Sequence, residues 1–284
     1  MRKQNQSYHV HISAEYRPLD FHIREVWEYR DLIWLFTLRS FQLIYKQTIL
    51  GPFWLIIRPL LTSVIYTAVF GGIMGLSTAG VPRLLFHLGS QALWSFLAGC
   101  LNNNATTFTA NAALFRKVYF PRLTIPVATM LSALGQLLIQ LLLMVVFLLF
   151  YLLRGEVHPN WHMLPALIPV FLVTGLMGLG IGIFISSVTT KYRDLAFLVG
   201  FGLQLWMYIS PVIYPASQLP VSGLYHLMML NPMTAPMEIF RMALLGIGTV
   251  SVESICSCLI FTVIAVLGGI MVFNRVERNF IDVI

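Results

Sequence analysis

The chain has 284 residues, of which 58% are hydrophobic and 10% charged, with a net charge of +7. About half apolar is usual for a soluble globular domain, so the composition excludes a soluble enzyme. A surplus of positive charge can mark a nucleic-acid binder, but here its placement along the chain accounts for it as membrane topology, and no nucleic-acid partner is expected.

Residues 1–20 are mixed polar and contain Pro18. The first 31 residues hold five basic and five acidic side chains and no long apolar run, so no cleavable signal peptide is expected. From Phe21 to Gln47 the pattern becomes helical and amphipathic. Ile23, Val26, Trp27, Ile33, Trp34, Phe41 and Ile44 supply apolar bulk, while Arg24, Glu25, Glu28, Asp31 and Arg39 supply charge. Such a segment lies along a membrane surface rather than across it. Residues 1–50 are therefore read as a cytoplasmic segment with an interface helix, and 51–284 as a transmembrane domain with a short tail. Gly51-Pro52 breaks the chain and opens the first span.

Six apolar spans follow, near 53–76, 84–108, 123–152, 164–188, 196–214 and 255–273. A helix needs about 20 apolar residues to cross the hydrocarbon. No span contains Asp or Glu, and Arg58, near the start of the first, is the only Lys or Arg within them. Of the 18 Lys and Arg, 15 then fall on one side. Eight precede or open the first span, from Arg2 to Arg58; Arg116, Lys117 and Arg122 follow the second; Lys191 and Arg193 follow the fourth; Arg275 and Arg278 lie in the tail. Arg83, Arg154 and Arg241 fall on the other side. This bias places both termini in the cytoplasm. The segment from about 215 to 254 carries Pro215, Pro220, Pro232 and Pro236 yet stays apolar through Leu224–Leu230 and Ile239–Leu245. Prolines at that density break helices, and irregular backbone at membrane depth must pack against protein. The expected fold is an all-α membrane protein with six transmembrane helices, an N-terminal amphipathic interface helix and short outer re-entrant or gate helices before the last span.

Several absences narrow the chemistry. There is no Gly-x-x-x-x-Gly-Lys-Ser/Thr phosphate loop and no carboxylate in a span to carry protons or sodium. His87 is the one imidazole in a span. No Asp pair, Ser–His pair or His-Glu-x-x-His offers hydrolysis within the spans. The chain is thus read as a non-enzymatic transport subunit, with no cofactor of its own, driven by a partner. His158 and His162 are four apart in a loop but lack a third ligand, so no metal site is expected. Cys100, Cys256 and Cys258 all lie in apolar spans and read as packing residues; the last two point apart on a helix. Gly175, Gly178, Gly180 and Gly182 resemble a nucleotide fingerprint, but they sit inside an apolar span with no strand before it. Gly178 and Gly182 instead give the close-packing helix motif.

Spans two and three each carry a polar stripe at helical spacing. Gln91, Ser95, Asn102, Thr106 and Thr109 share one face; Thr129, Ser132, Gln136 and Gln140 share another. The stripes fit either a hydrated pathway for a polar substrate or interhelical hydrogen bonds. Trp54 and Trp161 at span ends fit an interfacial belt. Trp94, Trp206 and Tyr208 lie deeper, where they fit either sugar stacking or packing. In the loop after span two, Leu114, Phe115, Val118, Tyr119 and Phe120 alternate with Arg116 and Lys117. The basic residues suit topology, and the aromatics suit docking into a groove on another protein.

Longer patterns resemble a known family. Arg39-x5-Tyr45-Lys46-Gln47-Thr48-x-Leu50-Gly51-x-x-Trp54-x4-Pro59 resembles the opening signature of type-2 ABC exporter permeases that carry polysaccharides. Asn111-x-x-Leu114-Phe115-x-Lys117-Val118-Tyr119-Phe120-Pro121 resembles their first cytoplasmic loop, and Tyr192-Arg193-Asp194 their second. Ser210-Pro211 and Asn231-Pro232 resemble the outer segment before their last span. The resemblance implies a homodimer of permeases in a bacterial inner membrane, with two copies of an ATPase subunit beneath that bind ATP and Mg. It also implies a lipid-linked glycan substrate, closest to the O-antigen, with capsule and teichoic acid exporters sharing much of the signature. Phe115, Arg116, Lys117, Tyr119, Tyr192, Arg193 and Asp194 are then the expected coupling residues. Arg39, Tyr45, Lys46, Gly51 and Trp54 mark the interface helix and opening motif. Gln91, Trp94, Ser95, Asn102, Thr106, Gln136, Gln140, Trp206 and Tyr208 are the candidate path. An ABC exporter of drugs or small lipids and an ion-coupled carrier are the alternative readings.

Overall fold

The computed structural model describes residues 23–46, 49–118, 120–190, 194–218 and 223–283. Among them there are helices and turns and no strand. Helices α1 (Ile23–Glu28) and α2 (Arg30–Tyr45) precede α3 (Trp54–Tyr66), which opens on a 3-10 turn at Gly51–Phe53 and runs on as a π-helical stretch, Thr67–Ile73. α4 (Arg83–Ala105) is followed by the short α5 (Thr107–Ala110) and α6 (Ala112–Lys117), then by α7 (Thr124–Leu153). A 3-10 segment at Trp161–Ala166 leads into α8 (Leu167–Thr189), and α9 (Leu195–Ile209) follows. The short α10 (Gly223–Met229) and α11 (Thr234–Leu245) separate α9 from α12 (Val252–Val283).

Five stretches are long and apolar enough to cross a membrane: Gly51–Ile73, Arg83–Ala105, Thr124–Leu153, Trp161–Thr189 and Val252–Val276. They coincide with five of the six expected spans. The span expected at 196–214 is different, because α9 has 15 residues. At 1.5 Å per residue that is about 22 Å, short of a hydrocarbon layer of about 30 Å. Its helix ends at Ser210, which is extended with ψ 152°, because the ring of Pro211 disfavours helix in the residue before it.

α8 is the central helix, packed against α4 on one side and α12 on the other. Its glycines make this possible. A Cβ added at Gly182 would sit 2.5 Å from Asn104 Cβ, one at Gly178 would sit 2.7 Å from Cys100 Cβ, and one at Gly180 would sit 2.7 Å from the backbone of Ala265. The first two are the small-residue pair expected from spacing, and Gly180 serves the opposite face.

α4 breaks at Thr106, where φ is −110° and ψ 11°, and α8 satisfies the backbone that the break frees. The Thr189 hydroxyl donates to the Ala105 carbonyl at 3.0 Å, and the Phe108 N–H donates to Ser186 Oγ at 3.2 Å. Buried backbone groups are rarely left unpaired, so these two side chains stabilise the turn there. α2 lies on α7 with Ile33, Phe36 and Thr37 buried, while Trp34, Leu35 and Leu43 of α2 and Trp27 of α1 are exposed. Cys100 and Cys258 are buried and Cys256 is exposed, so Cys256 is not the packing residue expected.

α11 is enclosed by α4, α8, α12 and the 3-10 segment. It ends at Gly246, whose φ of +71° is the left-handed cap that glycine favours. A Cβ there would also collide with the His158 carbonyl.

Candidate functional site

The first of two basic turns lies between α4 and α7. Its two phenylalanines, Phe115 and Phe120, turn inward. Phe115 stands 5.7 Å from Phe120 and 6.1 Å from Phe108, ring centre to ring centre. Phe120 is buried 5.8 Å from Phe36 of α2, and Phe108 stacks on Phe273 of α12 at 4.5 Å. The Arg122 guanidinium lies over the Phe115 ring at 5.6 Å. The aromatic run thus ties the turn to α2 and α12, and Phe115 is half-buried in that cluster. Arg116, Lys117 and Val118 are the exposed part of the turn. Tyr119 lies outside the described residues, as do Lys191, Tyr192 and Arg193 of the second turn; Asp194, which ends that turn, is exposed at the start of α9.

On the opening motif, Arg39 and Lys46 are exposed along and just after α2. Gly51 has φ +51° and Trp54 is exposed where α3 begins. The side chain of Tyr45 lies outside the described residues.

The polar stripes divide. Gln91 Nε2 donates to Ser95 Oγ at 3.4 Å, and Thr129 donates to Asn104 Oδ1 at 2.7 Å across the α4–α7 joint. Gln136 is half-buried, Gln140 is buried, and Asn102 and Thr106 are exposed. Oε1 of Gln91 and Oε1 of Gln140 are buried without a hydrogen-bond partner. Trp94 is buried edge-on to Trp206, 5.8 Å apart, and the Trp206 N–H donates to Asn231 Oδ1 at 3.1 Å. Tyr208 is exposed beside Phe201, Leu205 and Ile209 on α9. An apolar groove of about 540 Å³ runs between α4, α8, α9 and α12; of the candidate path residues, Trp206 lines it.

Two residues with no place in the expected site form the tightest polar cluster. Arg241 and Glu238 of α11 are each 1% exposed and pair at 2.9 Å. Arg241 also donates to Ser90 Oγ at 2.7 and 3.2 Å, to the Pro211 carbonyl, and to the Val212 carbonyl at 3.3 Å. Its guanidinium lies 4.1 Å from the centre of the Phe86 ring. Glu238 Oε1 accepts the Ala216 N–H at 3.3 Å, and Oε2 accepts the Thr249 N–H at 3.0 Å. Burial pulls the Arg241 guanidinium below its ordinary pKa, and the charge and hydrogen bond of Glu238 oppose that. Counting charges by loop places Arg241 with the outer cations and says nothing of its burial, which the structure supplies. The available signal was the i, i+3 spacing of Glu238 and Arg241 inside an otherwise apolar run.

A bundle of long apolar helices with a lateral surface helix and a basic turn anchored by aromatics is a multi-pass membrane transport subunit. Residues 31–245 match the ABC-2 type transporter family, and the chain belongs to it. Membership implies an ATPase partner. The chain is 25% identical over 256 residues to an O-antigen export system permease protein RfbA of Klebsiella pneumoniae, covering 89% of this chain and 95% of that one. A second protein of that name and species is 26% identical over 257 residues, with the same coverage. The O-antigen export system permease protein RfbA of Myxococcus xanthus is 27% identical over 221 residues, covering 77% of this chain and 82% of its own length.

Proposed function

We propose that this chain is the permease of an ATP-driven exporter that moves lipid-linked polysaccharide of the O-antigen type across a bacterial inner membrane. The observation that carries the reading is similarity along 89% of this chain and 95% of a relative named as an O-antigen export permease. The missing phosphate loop supports it, as does the scarcity of carboxylates in the long apolar stretches, where Glu253 at the start of α12 stands alone, because the chain then has neither ATP nor an ion gradient to draw on by itself. Two copies pair, and two ATPase subunits holding ATP and Mg dock under the basic turns. Both termini and the turns at Arg116 and Asp194 face the cytoplasm, and α10 and α11 face outward. α9 crosses together with the non-helical residues that follow it, and its exposed apolar face suits contact with the second copy or the cargo. Arg116, Lys117 and Asp194 are the exposed coupling residues.

The test is deletion of the chain in its native cell, followed by quantification of lipid-linked glycan on the inner face of the cytoplasmic membrane. Accumulation there with loss of surface polymer is the expected result. An unchanged glycan pool would overturn the assignment of cargo.

A further inference from the structure

We infer that Glu238 and Arg241 are positioning residues for export: their buried pair anchors the far end of α9, so that movement of α9 is passed to the outer segment. What the anchor serves rests on the function and orientation proposed above; the anchor itself does not depend on the cargo.

Residues 210–215, between α9 and a 3-10 turn at Ala216–Gln218, have no helix to satisfy their backbone. The carbonyls of Pro211 and Val212 go to Arg241, and the Ala216 N–H goes to Glu238. The other carboxylate oxygen takes the Thr249 N–H from the turn before α12. One ion pair thus replaces secondary structure for two irregular segments in a place closed to water. Ser90 and Phe86 tie the same guanidinium to α4. A buried pair adds little net stability compared with apolar residues of equal volume. Apolar residues, however, could not hold two carbonyls and two N–H groups, so the pair's contribution is to fix geometry.

Asn231, three residues before α11, adds a second tie. Its Nδ2 donates to Ser210 Oγ at 3.0 Å, and its Oδ1 accepts from Trp206. The far end of α9 and α11 are therefore one body. Along the rest of α9, Phe197, Leu198, Phe201 and Leu205 are exposed, and the helix starts directly after Asp194, which ends the second basic turn. A push at that turn travels along α9 and arrives at Arg241.

The experiment uses the full complex with its ATPase, with Cys100, Cys256 and Cys258 replaced by alanine and one cysteine introduced as Ala216→Cys, a fully buried position. A membrane-impermeant maleimide is applied from outside. In Arg241→Gln, loss of the charged hydrogen bonds should speed labelling about tenfold and lower surface glycan about tenfold, while ATP hydrolysis persists. Arg241→Lys keeps the charge without the planar fork and should fall between. Unchanged labelling in Arg241→Gln, or faster labelling with normal export, would overturn the inference. If Arg241→Gln fails to reach the membrane, Arg241→Lys decides, since it keeps the charge but loses the planar fork that reaches the Pro211 and Val212 carbonyls; wild-type labelling there also overturns the inference. If deleting the chain leaves glycan unchanged, the proposed cargo fails while the labelling still reports on the anchor.

Discussion

At Gly182 the absence of one methyl group sets how closely two helices approach. An added Cβ would lie 2.5 Å from Asn104 Cβ and 2.9 Å from the Leu101 carbonyl, and neither can retreat without moving α4. We expect Gly182→Val to destabilise the protein by about 1–3 kcal/mol, the usual result of overpacking, seen as a lower unfolding temperature in detergent. Gly268→Ala is the matched control, because nothing lies within 4 Å of its added Cβ; it should leave the unfolding temperature unchanged or raise it. Gly178 and Gly182 were legible as packing residues because spacing along a helix is written in the sequence. Glu238 and Arg241 were not, because their partners come from residues 90, 211, 212, 216 and 249, and no local pattern announces that several backbone segments will converge on one guanidinium.

Among the elements, the ends that charges mark were legible and the ends that backbone chemistry marks were not. Arg83, Arg154 and Arg122 bracket α4 and α7, and the expected spans there agree with the helices to within a few residues. The span drawn to residue 214 overran α9 because Val212, Ile213 and Tyr214 are apolar, whereas the helix is stopped by Pro211. The break at Thr106 was likewise hidden, since its stabilising partners lie some eighty residues away. That break makes a direct prediction. Ser186→Ala removes the hydroxyl that accepts from the Phe108 N–H, and Thr189→Val removes the one that donates to the Ala105 carbonyl. A lost hydrogen bond to a buried group costs about 1–3 kcal/mol, so the Phe108 amide should exchange about tenfold faster in Ser186→Ala. An unchanged exchange rate would show that the 3.2 Å contact does not restrain the turn.

Across the whole molecule, the turn expected to dock by its aromatics is instead built in two layers, and the layers can be separated by mutation. Phe115, Phe120, Phe108 and Phe273 form the inner layer that fixes the turn to α2 and α12; Arg116 and Lys117 form the outer one. Phe120→Ala removes a buried ring and should cost about 3–5 kcal/mol if the cavity does not close, lowering thermal stability and loosening the turn. Compared with Phe120→Ala, Arg116→Glu with Lys117→Glu changes two exposed side chains and no buried ring, so the unfolding temperature should fall by less. Its effect should instead appear in association: reversed charge weakens a complementary surface chiefly by slowing encounter and altering salt dependence. Capture of the ATPase by the double variant should therefore fall, and should fall most at low ionic strength, where unscreened charges act furthest. Equal capture by variant and wild type at every salt concentration would remove these two cations from the coupling surface and leave exposed Asp194 as the remaining described candidate.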